Sequence, residues 1–239
     1  MLWTNTKGFP HEQAIKAYKR SLALDPHSDE AHHQLSMIYA HVGLLDEAQV
    51  EVQRALEINP NNTMARFRVG VYFAYQGRFD DAIRVFKSVP RDVSPMLVDR
   101  CTADVLVQSG SSSKAEAIVD RYLKEHPDDE GGSFTSVKAV LLARAGKRAK
   151  AEEAVMKPVE IGRNFGHFHH TAHNIASAYA ALGESDESVK WLETAADTGF
   201  PNYTYFQIDP NLNNLRRHSG FSTLMKNLEV QWRHFKTIA

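Results

Sequence analysis

His32-His33-Gln34-Leu35-Ser36-Met37-Ile38-Tyr39-Ala40-His41-Val42-Gly43-Leu44-Leu45-Asp46-Glu47-Ala48-Gln49-Val50-Glu51-Val52-Gln53-Arg54-Ala55 is the stretch that decides the architecture. Leu35, Ile38, Tyr39 and Val42 follow one another at spacings of three and four, which puts them on one face of a helix. Ala48, Val52, Ala55 and Leu56 do the same beyond Gly43. Glycine ends the first helix because it takes the left-handed conformation at low cost. Ser36 and Ala48 are small where two helices must cross closely. Asp25-Pro26 and Asn59-Pro60 stop helices on either side, and Asp46 is expected to cap the second helix. The stretch therefore reads as two amphipathic helices joined by a tight turn.

The same spacing recurs along the chain. Gly-x4-Ala appears as Gly43/Ala48, Gly77/Ala82, Gly110/Ala115 and Gly146/Ala151, with Gly183/Ser188 as a weakened copy. Successive glycines are 34, 33, 36 and 37 residues apart. Around them, Arg66-x2-Val69-Gly70-x2-Phe73 with Ala82-x3-Phe86, and Ala172-x2-Ile175-Ala176-x2-Tyr179 with Ser188-x3-Leu192, repeat the first pattern. Asp80 and Ser112 or Ser113 are the corresponding expected caps, and His126-Pro127 is a further stop. The chain resembles the tetratricopeptide-repeat family, whose unit has this length and this order of bulky, small and aromatic positions. Over residues 95–157 only the glycine, the alanine and the helical period remain. The resemblance implies an all-α, right-handed superhelical α-solenoid over residues 1–198. Its expected parts are a half repeat at 8–26 and repeats at about 27–60, 61–94, 95–129, 130–165 and 166–198.

Both ends depart from the repeat. Residues 14–22 followed by Asp25-Pro26 read as the second helix of a unit without its first. That apolar face is expected to pair with a second copy in a homodimer, to mark the chain as a piece of a longer protein, or to be covered by Trp3 and Phe9. Residues 199–239 form an expected loop and capping helices. Gly199-Phe200-Pro201-Asn202-Tyr203 and Phe206-x2-Asp209-Pro210-x-Leu212-x2-Leu215-Arg216 resemble the tail that follows the repeats in bacterial regulators and kinases. In the last helix Phe221, Leu224, Met225, Leu228, Trp232 and Phe235 share one face, the pattern of a solubilising cap.

Composition narrows the function. With 28 basic and 29 acidic residues the net charge is -1, which lacks the basic excess a nucleic-acid binder needs. No run of eighteen apolar residues and no secretory start is present, so neither membrane insertion nor export is expected, and the expected location is cytoplasmic. Cys101, the single cysteine, forbids an intrachain disulfide and is expected as a buried thiol. No Gly-x-Ser-x-Gly or phosphate-cradling glycine loop occurs, no cofactor is expected, and Asp128 and Asp129 read as a solvated approach to a helix.

The resemblance implies that the first helix of each repeat lines a concave groove. The implied peptide-binding residues are His33, Met37 and His41, with Glu30 at the edge; Met64, Phe67, Val71 and Tyr75; Arg100 and Asp104, with Leu97; and His170, His173 and Ser177. Ser133, Ser136 and Val140 are the corresponding positions of the fourth repeat. The apolar and aromatic part of this strip suits a peptide with hydrophobic anchors. It lacks the cationic clamp with which some relatives bind acidic tails. The expected function is a non-catalytic scaffold for a protein or peptide partner. One alternative is the sensor or interaction arm of a larger bacterial signalling or transcriptional regulator. A second is metal binding by the cluster His167, His169 and His173, in which His169 and His173 stand four apart on one helix; the bland reading leaves His167 and His169 solvated and His173 in the groove.

Overall fold

The computed structural model describes residues 9–90, 94–162 and 166–239. Among them the chain is all α: α1 (His11–Leu24), α2 (Asp29–His41), α3 (Leu45–Ile58), α4 (Thr63–Tyr75), α5 (Phe79–Ser88), α6 (Pro95–Gln108), α7 (Ser112–Glu125), α8 (Ser133–Arg144), α9 (Arg148–Gly162), α10 (Phe168–Leu182), α11 (Ser185–Asp197), α12 (Tyr203–Ile208) and α13 (Ser219–Ile238). Two 3-10 turns, Glu130–Gly132 and Pro210–Leu215, precede α8 and follow α12. The chain divides into two compact units, each a short stack of helix pairs. The first holds residues 1–98, 201–208 and 227–239; the second holds 99–200 and 209–226. No helix is long and apolar enough to cross a membrane, among the described residues.

One turn is used five times. Gly43, Gly77, Gly110, Gly146 and Gly183 have φ of 81°, 74°, 80°, 71° and 82°. At each, the next residue's N–H reaches back to the carbonyl five positions earlier: Leu44 to Tyr39, Arg78 to Phe73, Ser111 to Leu106, Lys147 to Leu142 and Glu184 to Tyr179, at 2.8–3.0 Å. This is the Schellman closure, which satisfies a helix-end carbonyl that would otherwise be orphaned. Ala48, Ala82, Ala115, Ala151 and Ser188, five residues further on, are all 0% exposed. A larger side chain there would push the paired helices apart. Gly70 serves the same end, since a Cβ on it would sit 2.6 Å from the Phe86 ring.

The expected caps differ. The N-cap positions of α3, α5 and α7 are Leu44, Arg78 and Ser111, none with a side-chain cap. The second helix starts directly after the glycine, so Asp46, Asp80, Ser112 and Ser113 fall inside the first turn. There the acids act on the helix dipole instead. Side-chain caps sit on other helices: Ser28 accepts from Ala31 N on α2 and Asn62 from Ala65 N on α4. Asp129 is 1% exposed, not solvated, and its carboxylate accepts from Phe134 N at 3.0 Å and Thr135 N at 2.7 Å. Cys101, expected as a buried thiol, is half-buried, with Arg100 Nη2 3.3 Å from its sulfur.

In the first unit the end of α13 packs on α1, the helix expected to present an open face. Phe235 meets His11 edge-on with ring centroids 5.9 Å apart, and His234 Nε2 lies 2.9 Å from Glu12 Oε2. Lys19 donates to the carbonyls of Ile238 and Ala239. Trp3, one of the expected covers, lies outside the described residues; Phe9 stacks on His11 at 6.2 Å. Within α13, Phe221, Leu224 and Leu228 are buried, and Met225, Trp232 and Phe235 half-buried.

Candidate functional site

The residues expected to line a groove are mostly interior. His33, Met37, His41, Phe67 and Val71 of the first unit are buried, as are His173 and Ser177 of the second. Met64 and Tyr75, and Arg100, Asp104 and His170, are half-buried. Two local reasons are visible in the first unit. Phe67 packs against Phe86 of the paired helix, centroids 5.5 Å apart, while Arg68 crosses above it and directs Nη2 at Met37 Sδ, 3.1 Å away. Ser36 and Tyr72 join the two first helices by a 2.8 Å hydrogen bond between hydroxyls. Burial pushes the Tyr72 phenol up to about 12.

His33 titrates abnormally for the same reason. Burial of the imidazole, helped by the Arg68 charge, holds its pKa below the usual value, with Glu30 3.6 Å away acting in the opposite direction. Protonation is therefore harder folded than unfolded. Between the depressed folded pKa and about 6.5, the unfolded chain holds the extra proton, so stability falls as pH drops through that window. Denaturation in urea is expected to show lower stability at the acid end of the window than at neutral pH. His33→Gln should shrink that difference; an unchanged difference would remove His33 as its source.

The tail supplies what the local sequence could not. On the first unit, Pro201–Ile208 lies against the ends of α2 and α4. Asn202 is 0% exposed; its amide donates to Ala40 O at 2.8 Å and its carbonyl oxygen accepts from Tyr205 N at 3.1 Å. Thr204 Oγ1 and Trp232 Nε1 both donate to Gly43 O at 3.0 Å. Tyr205 packs on Tyr75, centroids 4.8 Å apart. The carbonyls of the first helix-turn-helix thus receive three donors from the tail.

On the second unit, the turn Pro210–Leu215 lies on α10. Asp209, 0% exposed, accepts from Asn211 N at 2.9 Å, and its second oxygen lies 2.9 Å from His173 Nε2. Arg216 Nη2 donates to Asp209 O at 3.0 Å, and Arg144 Nη2 to Asn211 Oδ1 at 2.6 Å. Asp104 completes the polar interior: Arg100 donates at 2.8 Å and Asn174 at 3.2 Å, and Asn174 also reaches Ser136. Burial raises the Asp104 pKa against the opposing Arg100 charge.

The histidine-rich start of α10 is arranged differently from the expected trio. His173 is taken by Asp209. His169 is 0% exposed rather than solvated, and His170 stands beside it with ring centroids 4.4 Å apart. Sequence reasoning assigned no contact to Asn202 or Asp209, and placed Trp232 on the apolar face of the last helix without its bond to Gly43 O. The signal for Asn202 and Asp209 was a polar residue beside proline, Pro201-Asn202 and Asp209-Pro210.

Sequence profiles described as "Tetratricopeptide repeat" match residues 11–68, 43–94 and 169–197. No curated protein matches the sequence. Among solved structures, a chain of the APC/C hetero-tetramer Cut9–Hcn1 is similar at a TM-score of 0.63 and 13% identity; the match covers 92% of this chain and 46% of that one, so this chain spans under half its length. YrrB, described as a TPR protein with an unusual peptide-binding site, is similar at a TM-score of 0.45 and 15% identity, over 81% of this chain and 97% of that one.

Proposed function

Because the chain is a tetratricopeptide-repeat protein, we propose that it is a non-catalytic scaffold for a protein partner, and that it takes a peptide segment of that partner on the face formed by the ends of α2 and α4. The supporting observation is that this face already holds a peptide segment, Pro201–Ile208 of the same chain. That segment is bound mainly through main-chain acceptors, Ala40 O and Gly43 O, and an aromatic platform, Tyr75. Such contacts ask little of the ligand beyond donor side chains three and one residues ahead of an apolar anchor. The partner segment replaces the tail segment, so the tail sets the affinity that a partner must exceed.

The reading predicts opposite effects from two substitutions. Tyr75→Ala removes the platform and is expected to abolish capture of the partner from a lysate of the source cell. Asn202→Ala loosens only the tail and is expected to raise capture several-fold, since loss of a buried hydrogen bond costs about 1–3 kcal/mol. Equal capture by wild type and both variants contradicts the assignment of the face.

A further inference from the structure

We propose that His167, His169 and His170 form a binding site for a divalent transition-metal ion, zinc being the ion whose ligand chemistry fits best. The coordinating nitrogens of these three residues lie within 4.8 Å of one another. In an uninterrupted helix residues two apart point away from each other, so convergence needs a break. The break is at His167, the N-cap of α10, whose φ of -114° and ψ of 27° lie off the helix. Its ring consequently turns across His169 at 5.5 Å and stands parallel to that of His170 at 6.3 Å.

His169 is the fixed ligand. Its Nδ1 lies 3.0 Å from Thr198 O, and a carbonyl only accepts, so Nδ1 carries the proton and Nε2 carries the lone pair. A main-chain carbonyl behind the ring is the usual orienting partner of a metal-bound imidazole. The ring is fully buried and lies along Phe200, centroids 6.1 Å apart, which holds its direction. His167 and His170 are half-buried beside it. Zinc–nitrogen bonds of about 2.0–2.1 Å set tetrahedral nitrogens about 3.4 Å apart, a closer approach than the 4.8 Å within which these nitrogens lie, so binding draws the side chains together. Three neutral imidazoles, with no carboxylate among them, suit a borderline ion over magnesium or calcium.

The test is calorimetric titration of the full chain, prepared without a histidine tag and stripped with chelator, with zinc chloride alone. Cobalt(II) absorption provides a readout of imidazole coordination. The expected result is one ion per chain, with affinity falling about tenfold or more in His167→Ala and in His170→Ala and unchanged in the exposed control His126→Ala. Both ligand variants alter half-buried side chains near a helix start, so their fold is checked by circular dichroism. Absence of saturable zinc binding overturns the site. So does zinc binding with undiminished affinity in the folded His167→Ala/His170→Ala double variant.

Discussion

Phe67→Ala is expected to lower the unfolding free energy by about 3–5 kcal/mol, the range for removing a buried aromatic ring. Phe67 is 2% exposed and fills the space between α4 and α5 against Phe86. Phe86 itself is held so close to Gly70 that no Cβ fits between them, so neither helix can move in to close the resulting hole. Arg68 would also lose the ring beneath its guanidinium. The measurement is equilibrium denaturation in urea. A loss below about 1 kcal/mol, together with lost partner binding, would return Phe67 to the role of an exposed anchor.

Asp209→Ala is expected to cost a comparable amount, about 3–5 kcal/mol, because removing one partner of a buried charged set leaves the others uncompensated. His173 faces it at 2.9 Å, and the charges of Arg144 and Arg216 are felt nearby, each guanidinium being held below its ordinary pKa by burial while Asp209 works in the opposite direction. Asp209→Asn keeps an acceptor for Asn211 N but no charge, and should fall between wild type and alanine. Equal stability of all three proteins would show that the carboxylate is dispensable.

The repeat was legible because it is local. A glycine, an alanine five residues on and a three–four apolar period each report on contacts made within a single helix pair, so Gly43, Ala48 and Leu35 gave the paired helices from spacing, and the family resemblance implied the solenoid. The tail contacts have no such period. Asn202 bonds Ala40 across 162 residues and Trp232 bonds Gly43 across 189. Nothing in the neighbourhood of Ala40 distinguishes a carbonyl that will be bonded by the tail from one that faces water. The implied groove residues were named by helical register, which gives the direction of His33, Met37 and Val71 but not what covers them. The reading of α1 had the same weakness, since Phe235, which meets His11 at its start, is near the other end of the sequence. The caps failed for a different reason: the second helix starts directly after the glycine turn, with Leu44 and Arg78 at the N-cap, so Asp46 and Asp80 lie inside the first turn.

The proposed function places a peptide of the partner on the α2–α4 face, where the tail segment Pro201–Ile208 lies. Fluorescence anisotropy of a labelled peptide spanning residues 199–210 tests this directly, with wild type and Asn202→Ala as receptors; the substitution lies in the tail and leaves Ala40, Gly43 and Tyr75 untouched. The expected result is saturable binding to Asn202→Ala, much weaker binding to wild type, and binding weakened several-fold when the peptide itself carries Asn202→Ala. Equal binding of the peptide to both proteins, or no binding to a folded Asn202→Ala protein, would contradict it.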